Sequence, residues 1–510
     1  MQLDVKTRPS DQLTHREILE VLFGLLAALF TAIISSTIVS NALPTIIADL
    51  QGSQTQYTWV VTASLLAMTV STPVWGKLSD LFGKKFLVQL SIVIFVIGSV
   101  LAGISQNVPE LIAMRAIQGL GMGGLTATAQ SIIGSIITPR ERGRYSGYMG
   151  ATMAVATVSG PLLGGVIVDT PGLGWRWTFF VCVPLAIMSL VILQKYLHVE
   201  TIRREIQIDY FGAILIAIAA SLPLIWVSFA GNAFDWISIP SALFLGGSLL
   251  AAALTFWVES HHPEPLIALS VVRDRTTALA ILGSIAVGIA MFGGSVFLGQ
   301  YFQIAGGHTP TRAGLLSIPL MLGSFVGTVG SGRLISSTGR WKRFLVLGSA
   351  LLLLGLALLG TVDHATPEWH TMIYMAFMGV GMGMLLQNYV LAVQNTVDVT
   401  QVGSASAAVA FFRSLGGAVG VSVLGAILAE QVKNDVTGKL AALGLPPNGG
   451  SGSLLNLKDL PAPVVTIIES AYGDATGFIF MIAAAVSVIS LVTALLIKEV
   501  PLRTTVRKSD

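Results

Sequence analysis

Fourteen predominantly apolar runs of roughly 20 residues divide the chain, each bounded by charged or turn-forming residues. At 1.5 Å per residue, each can cross about 30 Å of hydrocarbon as an α-helix. Their approximate limits are 20–43, 57–76, 86–105, 109–133, 145–168, 177–196, 210–229, 239–258, 277–302, 311–332, 343–362, 370–394, 404–428 and 475–497. In lipid every backbone polar group needs an internal partner, so this pattern predicts an all-α integral membrane protein. The segment before the first run is polar and of mixed charge, and no small-residue cleavage site follows that run, so an uncleaved first span is expected.

Basic residues assign the sides. Lys77, Lys84, Lys85, Arg140, Arg142, Arg144, Lys195, Arg333, Arg340, Lys342, Arg343 and Lys498 fall between runs on one side, against Arg176, Arg312, Lys433, Lys439 and Lys458 on the other. Since cations favour the cytoplasmic side, both termini are expected inside.

The polar turn Gly76-Lys77-Leu78-Ser79-Asp80-Leu81-Phe82-Gly83-Lys84-Lys85 is echoed by Gly332-Arg333-Leu334-Ile335-Ser336-Ser337-Thr338-Gly339-Arg340-Trp341. A nearby shift lays Gly119-x-Gly121-x-Gly123 on Gly379-x-Gly381-x-Gly383, and carries Gly143, Gly160 and Gly165 onto Gly403, Gly420 and Gly425. Spans 1–6 therefore repeat as spans 9–14, with spans 7 and 8 as an inserted pair. The expected divisions are a cytoplasmic N-terminus (1–19), a six-helix bundle (20–196), the inserted pair with its flanking loops (197–276), a second six-helix bundle (277–497) and a cytoplasmic tail (498–510). Within the second bundle, 429–474 reads as a long extracytoplasmic loop, because Pro446 to Gly452 disfavours regular structure.

Composition agrees with a membrane protein: 53% of residues are hydrophobic and 11% charged, where a soluble domain carries about 25% charged residues. A net charge of +3, with its cations beside apolar runs, gives no footprint for nucleic acid. One cysteine, Cys182, excludes an intramolecular disulfide and lies in an apolar run. No Gly-x-x-x-x-Gly-Lys-Ser/Thr sequence, metal-ligand cluster or nucleophile–base motif occurs, so neither an ATP-driven pump nor an enzyme is expected, and no cofactor or metal is called for.

Chemistry concentrates in a few polar positions. Span five carries Gly160-Pro161-Leu162-Leu163-Gly164-Gly165, where proline kinks the helix and glycines admit a close neighbour. The turn at Gly76 to Lys85, Arg115-Ala116-Ile117-Gln118-Gly119, this Gly-Pro-x-x-Gly-Gly and Gly174-Trp175-Arg176-Trp177 follow one another in an order that resembles the major facilitator superfamily. With fourteen spans, and Thr37-Ile38-Val39 before Ala42-Leu43-Pro44, the chain is similar to the fourteen-helix drug/proton antiporters of multidrug-efflux type. The resemblance implies a major facilitator fold and export of an amphipathic small molecule from the cytoplasmic membrane by a monomer, energised by the proton gradient. It implies that Gly76, Asp80, Gly83, Lys84 and Lys85 form a conformational latch, and that Gly160, Pro161, Gly164 and Gly165 belong to an antiporter helix. An alternative within the same fold is a proton-independent facilitator, an uptake symporter or a lipid or metabolite exporter.

One departure is notable. The family frame Leu-Asp-x-Thr-Ile-Val reads Ile34-Ser35-Ser36-Thr37-Ile38-Val39 here, and no Asp or Glu falls near the middle of any span. Proton coupling needs a titratable group that alternates in exposure, so Asp49 and Asp169, which flank span one and the antiporter helix, are the coupling candidates. Arg115 and Arg413 are the charges within spans. Arg115 is either a structural tie to Asn41, Gln118 or Glu110 or a cavity charge, and Arg413, beside Gly416 and Gly417, reads as a cavity charge. Ser35, Thr37, Asn41, Gln118, Gln387 and Asn388 are the other candidate cavity groups. A cavity with buried arginine and without the span-one acid is expected to prefer neutral or anionic amphiphiles. Membrane lipids are the remaining expected partner.

Overall fold

The computed structural model describes residues 15–136, 142–197, 209–230, 234–261, 273–397, 402–442 and 461–501. Outside the described residues lie most of the N-terminal segment and the tail, parts of the loops flanking the inserted pair, Arg140, and the side chains of Lys77, Asp80, Arg142 and Arg144.

The first half comprises α1 (His15–Asp49), α2 (Gln54–Leu81), α3 (Lys84–Ile104), α4 (Val108–Ile136), α5 (Arg142–Asp169), the short α6 (Trp177–Phe180) and α7 (Cys182–Tyr196). An inserted pair follows, α8 (Tyr210–Phe229) and α9 (Ile239–His261). The second half comprises α10 (Arg275–Gln300) with a π-helical turn at Tyr301–Ala305, α11 (Pro310–Leu316), α12 (Ile318–Thr338), α13 (Lys342–Leu359), α14 (Glu368–Thr396), α15 (Val402–Ala442) and α16 (Ala462–Leu496). Helices thus stand at every predicted run. Among the described residues eleven segments are long and apolar enough to cross a membrane. Outside those eleven, α4 is diluted by Glu110, Arg115 and Gln118, while the stretches Ser159–Asp169 and Phe211–Val227 of α5 and α8 are apolar but shorter.

Local chemistry sets the helix ends. Ser53 and Gln56 make a reciprocal cap at the start of α2, Asp274 caps α10, and Thr309 caps α11 ahead of Pro310. The repeated polar turns end in Gly83 and Gly339, which both take positive φ (84° and 70°), a backbone that glycine adopts without a Cβ penalty.

The sequence repeat is a packing repeat. Gly119 and Gly123 lie against the backbone of α2 and Gly121 against α3; correspondingly, Gly379 and Gly383 lie against α12 and Gly381 against α13. Gly160 packs on Thr37 of α1 as Gly420 packs on Ile289 of α10. Each half therefore closes around one small-residue helix, and close packing of small residues is the usual means of joining helices in lipid.

The inserted pair is peripheral. Ser248 of α9 donates to Ala219 O of α8 at 3.0 Å, while Leu243, Leu249, Leu250, Phe256 and Trp257 of α9 point outward.

Two boundaries differ from expectation. Helix α1 continues through Pro44 to Asp49. The segment 429–474 is helical at both described ends, since α15 runs on to Ala442 and α16 already starts at Ala462. Its charged residues lower hydropathy and mask a helical stripe of buried Leu428, Val436 and Leu440, while Lys439 donates to Ser470 Oγ at 2.9 Å and pairs with Asp474 at 3.7 Å. Pro446 to Gly452 lies outside the described residues.

The bundle has two distinguishable faces. One, here the basic face, carries Lys84, Lys85, Lys342 and Arg343 at helix starts and Arg340 in the turn before α13; the opposite face carries Asp49 and Asp169 at the last residues of α1 and α5 and Glu368 at the first of α14.

Candidate functional site

The two halves meet in a polar seal near the opposite face. Asn41, 3% exposed on α1, donates from Nδ2 to Pro161 O of α5 at 2.8 Å and to Pro310 O of α11 at 2.9 Å. Its own carbonyl accepts from Gln303 Nε2 at 2.7 Å. The two prolines share a spacing: Pro161-x-x-x-Gly165 in one half and Pro310-x-x-x-Gly314 in the other. They also share a contact, since a Cβ on Gly165 would stand 2.5 Å from Pro310 O and one on Gly314 would stand 2.5 Å from Pro161 O. Only glycine admits that crossing.

A second crossing joins α2 to α15. A Cβ on Gly425 would meet Thr58 Oγ1 at 2.3 Å, and Thr62 Oγ1 and Ser422 Oγ lie 3.0 Å apart. Gln54 and Gln300 exchange amide hydrogen bonds at 2.6 and 3.2 Å, and Tyr57 donates to Val296 O at 3.1 Å. Gly165 and Gly425, equivalent by the sequence repeat, thus make equivalent contacts across the halves. Among the described residues, these hydrogen bonds between halves all lie toward the opposite face.

Arg115 belongs to the first half alone. Its guanidinium, 1% exposed, donates to Gln118 Oε1 and to Val60 O at 3.3 Å. Gln118 Nε2 in turn donates to Ser35 Oγ at 3.0 Å and Ser99 Oγ at 2.7 Å, so one chain of bonds ties α1, α2, α3 and α4. Ser35, in the place of the family aspartate, is an acceptor inside this tie. Thr37 is turned back on its own helix, donating to Ile33 O or Ile34 O.

In the second half Arg413 is half-buried and donates from one nitrogen to Leu386 O at 3.2 Å. Its carbonyl lies against Gly288 of α10. Asn388 is buried and its amide nitrogen has no partner among the described residues. Gln387 is exposed, on a stripe with exposed Ile373 and Phe377, and so faces away from the interior.

The coupling candidates have structural partners at the opposite face. Asp49 accepts from Trp175 Nε1 at 2.7 Å and pairs with Arg176 at 3.8 Å, the guanidinium lying 4.2 Å from the Trp175 ring centre. Asp169 accepts from Thr311 N at 2.9 Å and so pins α5 to the first turn of α11. The expected latch lies on the basic face within the first half: Lys84 donates to Ser131 O at 3.3 Å and Lys85 to Gln194 O at 2.7 Å. Gly76 has open space beside it, and the side chain of Asp80 lies outside the described residues.

Of the residues at these crossings, the sequence singled out Asn41 as a cavity group and Pro161 and Gly165 as part of the antiporter helix, and did not single out Gln54, Thr62, Gln300, Gln303, Gly314 or Ser422; Gly164 lies against Ile38 of α1 within the first half. Repeating the Pro-x-x-x-Gly spacing at Pro310 was the signal available for Gly314.

Known proteins place this architecture. Multidrug resistance protein 3 of Bacillus subtilis is 29% identical over 498 residues, covering 95% of this chain and 96% of that protein. The multidrug transporter protein MdtP of the same organism is 31% identical over 417 residues, 82% of this chain and 76% of its own. A POT family peptide transporter, solved in an auto-inhibited state, superposes with a TM-score of 0.65 over 96% of this chain and 99% of its own; at 14% identity the likeness is one of fold. The sequence profile of the Major Facilitator Superfamily matches residues 25–421, from within α1 to the second crossing on α15, and by that match the chain belongs to this superfamily of transporters.

Proposed function

We propose that the chain exports amphipathic small molecules from the cytoplasm, its fourteen apolar runs each crossing the membrane with both termini inside. The first half rocks against the second, so that the seal around Asn41 opens as the basic, cytoplasmic face closes. The observation that carries this reading is the one-sided distribution of hydrogen bonds between the halves: they gather toward the opposite face among the described residues. Two related proteins, one named for multidrug resistance and one for multidrug transport, each matched over most of the chain, support the substrate class.

Proton exchange, which the resemblance implies, would need a group that titrates in both states. Asp169 is the better candidate, because its bond to Thr311 breaks when the seal opens. A second reading, proton-independent export, is favoured by a separate observation: no acidic residue of the sequence falls near the middle of a span, and Ser35 is committed to Gln118.

Steady-state accumulation of a lipophilic dye in energised cells tests export. Expression of the chain lowers accumulation and expression of Gly165→Ala does not; equal accumulation with and without the wild-type chain would refute the reading.

A further inference from the structure

The two arginines within the membrane helices differ in what they leave unsatisfied. Arg115 is enclosed, and its bonds continue through Gln118 to Ser35 and Ser99. Arg413 carries the same five N–H donors, yet one bond, to Leu386 O, accounts for it among the described residues, and no carboxylate pairs with it there. It stands nine residues from Ser422 on α15, about 13 Å toward the basic face from the second crossing. It therefore lies on the unsealed side and is half-buried. An apolar wall adjoins it, with Phe292 against Gly417 one turn along.

We propose that Arg413 receives the carboxylate of an amphipathic organic anion, and that the anion's own charge, moving down an inside-negative membrane potential, drives its export. A guanidinium inside a membrane protein is costly without a counter-charge, and its planar fork matches a carboxylate. A positive interior without acids suits an anion and repels a cation. A single negative charge leaving a negative interior is worth roughly a 50-fold gradient at 100 mV, so this transport needs no proton-binding side chain. The absence of an acid at Ser35 and an Arg413 with no carboxylate partner among the described residues then have one explanation. This inference rests on the exporter reading above.

The test uses inside-out vesicles holding the full chain and three versions of one fluorophore: a carboxylate, its neutral ester and a trimethylammonium. A lumen-positive potassium diffusion potential is imposed at equal pH, and separately a lumen-acidic pH gradient at zero potential. The carboxylate accumulates under the potential alone. Arg413→Ala lowers its uptake roughly 10- to 100-fold, the loss expected for a charge-assisted bond, while leaving ester uptake within about twofold, and Arg413→Lys recovers part of it. Equal loss of ester and carboxylate uptake would make Arg413 structural and overturn the proposal. Preference for the trimethylammonium probe, or carboxylate uptake that requires the pH gradient, would also overturn it while the exporter reading stood. Uptake of none of the three by the wild-type chain would remove the exporter reading itself.

Discussion

The side-chain amide of Asn41 donates across the molecule to the carbonyl of Pro310 at 2.9 Å, and the same nitrogen reaches Pro161 of its own half at 2.8 Å. One buried donor therefore holds the crossing of two Pro-x-x-x-Gly segments. Buried carbonyls that lose a donor cost about 1–3 kcal/mol. Asn41→Ala should weaken the closed seal by about 1–2 kcal/mol, a factor of roughly 5–30 in its open population. An impermeant thiol reagent on a cysteine at Ser422 measures this, because the chain's one native cysteine, Cys182, is buried. Reaction from the opposite face should accelerate in the Asn41→Ala background; an unchanged rate would free Asn41 of this role.

The reciprocal glycines give a steric counterpart. A methyl group at Gly165 would sit 2.4 Å from Thr311 Cα and one at Gly314 2.5 Å from Pro161 O, both backbone atoms that yield little. Gly165→Ala and Gly314→Ala should each abolish transport while the protein still reaches the membrane. Gly330→Ala on α12, which meets nothing within 4 Å, should transport normally. Dye efflux normalised to membrane-inserted protein distinguishes the three.

Arg115 and Gln118 should behave as one structural unit. Arg115→Leu leaves Gln118 Oε1 and Val60 O without their donor, so a loss of about 1–3 kcal/mol is expected, and Lys cannot reproduce the fork. Thermal unfolding in detergent should show the double variant Arg115→Leu/Gln118→Leu losing less than the sum of the singles, by about 0.5–3 kcal/mol. Additive losses would mean that the two do not act together.

The turn before α14 has its own pH limit. Asp363 accepts from Thr366 Oγ1 at 2.7 Å and from Ala365 N at 3.0 Å, and these bonds, the Thr366 hydroxyl first, hold its carboxyl below the ordinary range. A depressed folded value contributes stability above the unfolded value near 4, and that stability is lost as pH falls through the folded value. Hydrogen exchange in residues 361–367 should be protected from pH 5 upward and rise below about 4. Thr366→Val should move that rise to higher pH.

Much of the fold was legible because hydrophobic length and the glycine repeat are direct consequences of the bilayer and of helix contact. Gly83 and Gly339 were readable as turn residues, and Gly165 and Gly425 as equivalents, since close approach leaves glycine little substitute. The helical ends of α15 and α16 were hidden, because Glu430, Lys433 and Asp435 lower hydropathy over a stripe whose buried side is Leu428, Val436 and Leu440. Gln387 looked like a cavity residue because polarity alone does not tell one helix face from another; Ile373 and Phe377 on the same stripe show which face it is. Ser422 and Thr62 were invisible for a related reason: small hydroxyl residues are common in membrane helices, and only the crossing of α2 and α15 makes this pair part of the seal.

Alternation between two faces is the central claim, and distances between spin labels test it most directly. One pair, at Leu173 and Thr361, spans the halves at the opposite face, and another, at Phe82 and Ser337, spans them at the basic face; all four positions are exposed. In lipid nanodiscs the first pair is expected to be short and the second long, with a transported amphiphile populating the converse arrangement in the same sample. A first pair that never lengthens, or two pairs that lengthen together, would contradict rocking about a seal at Asn41.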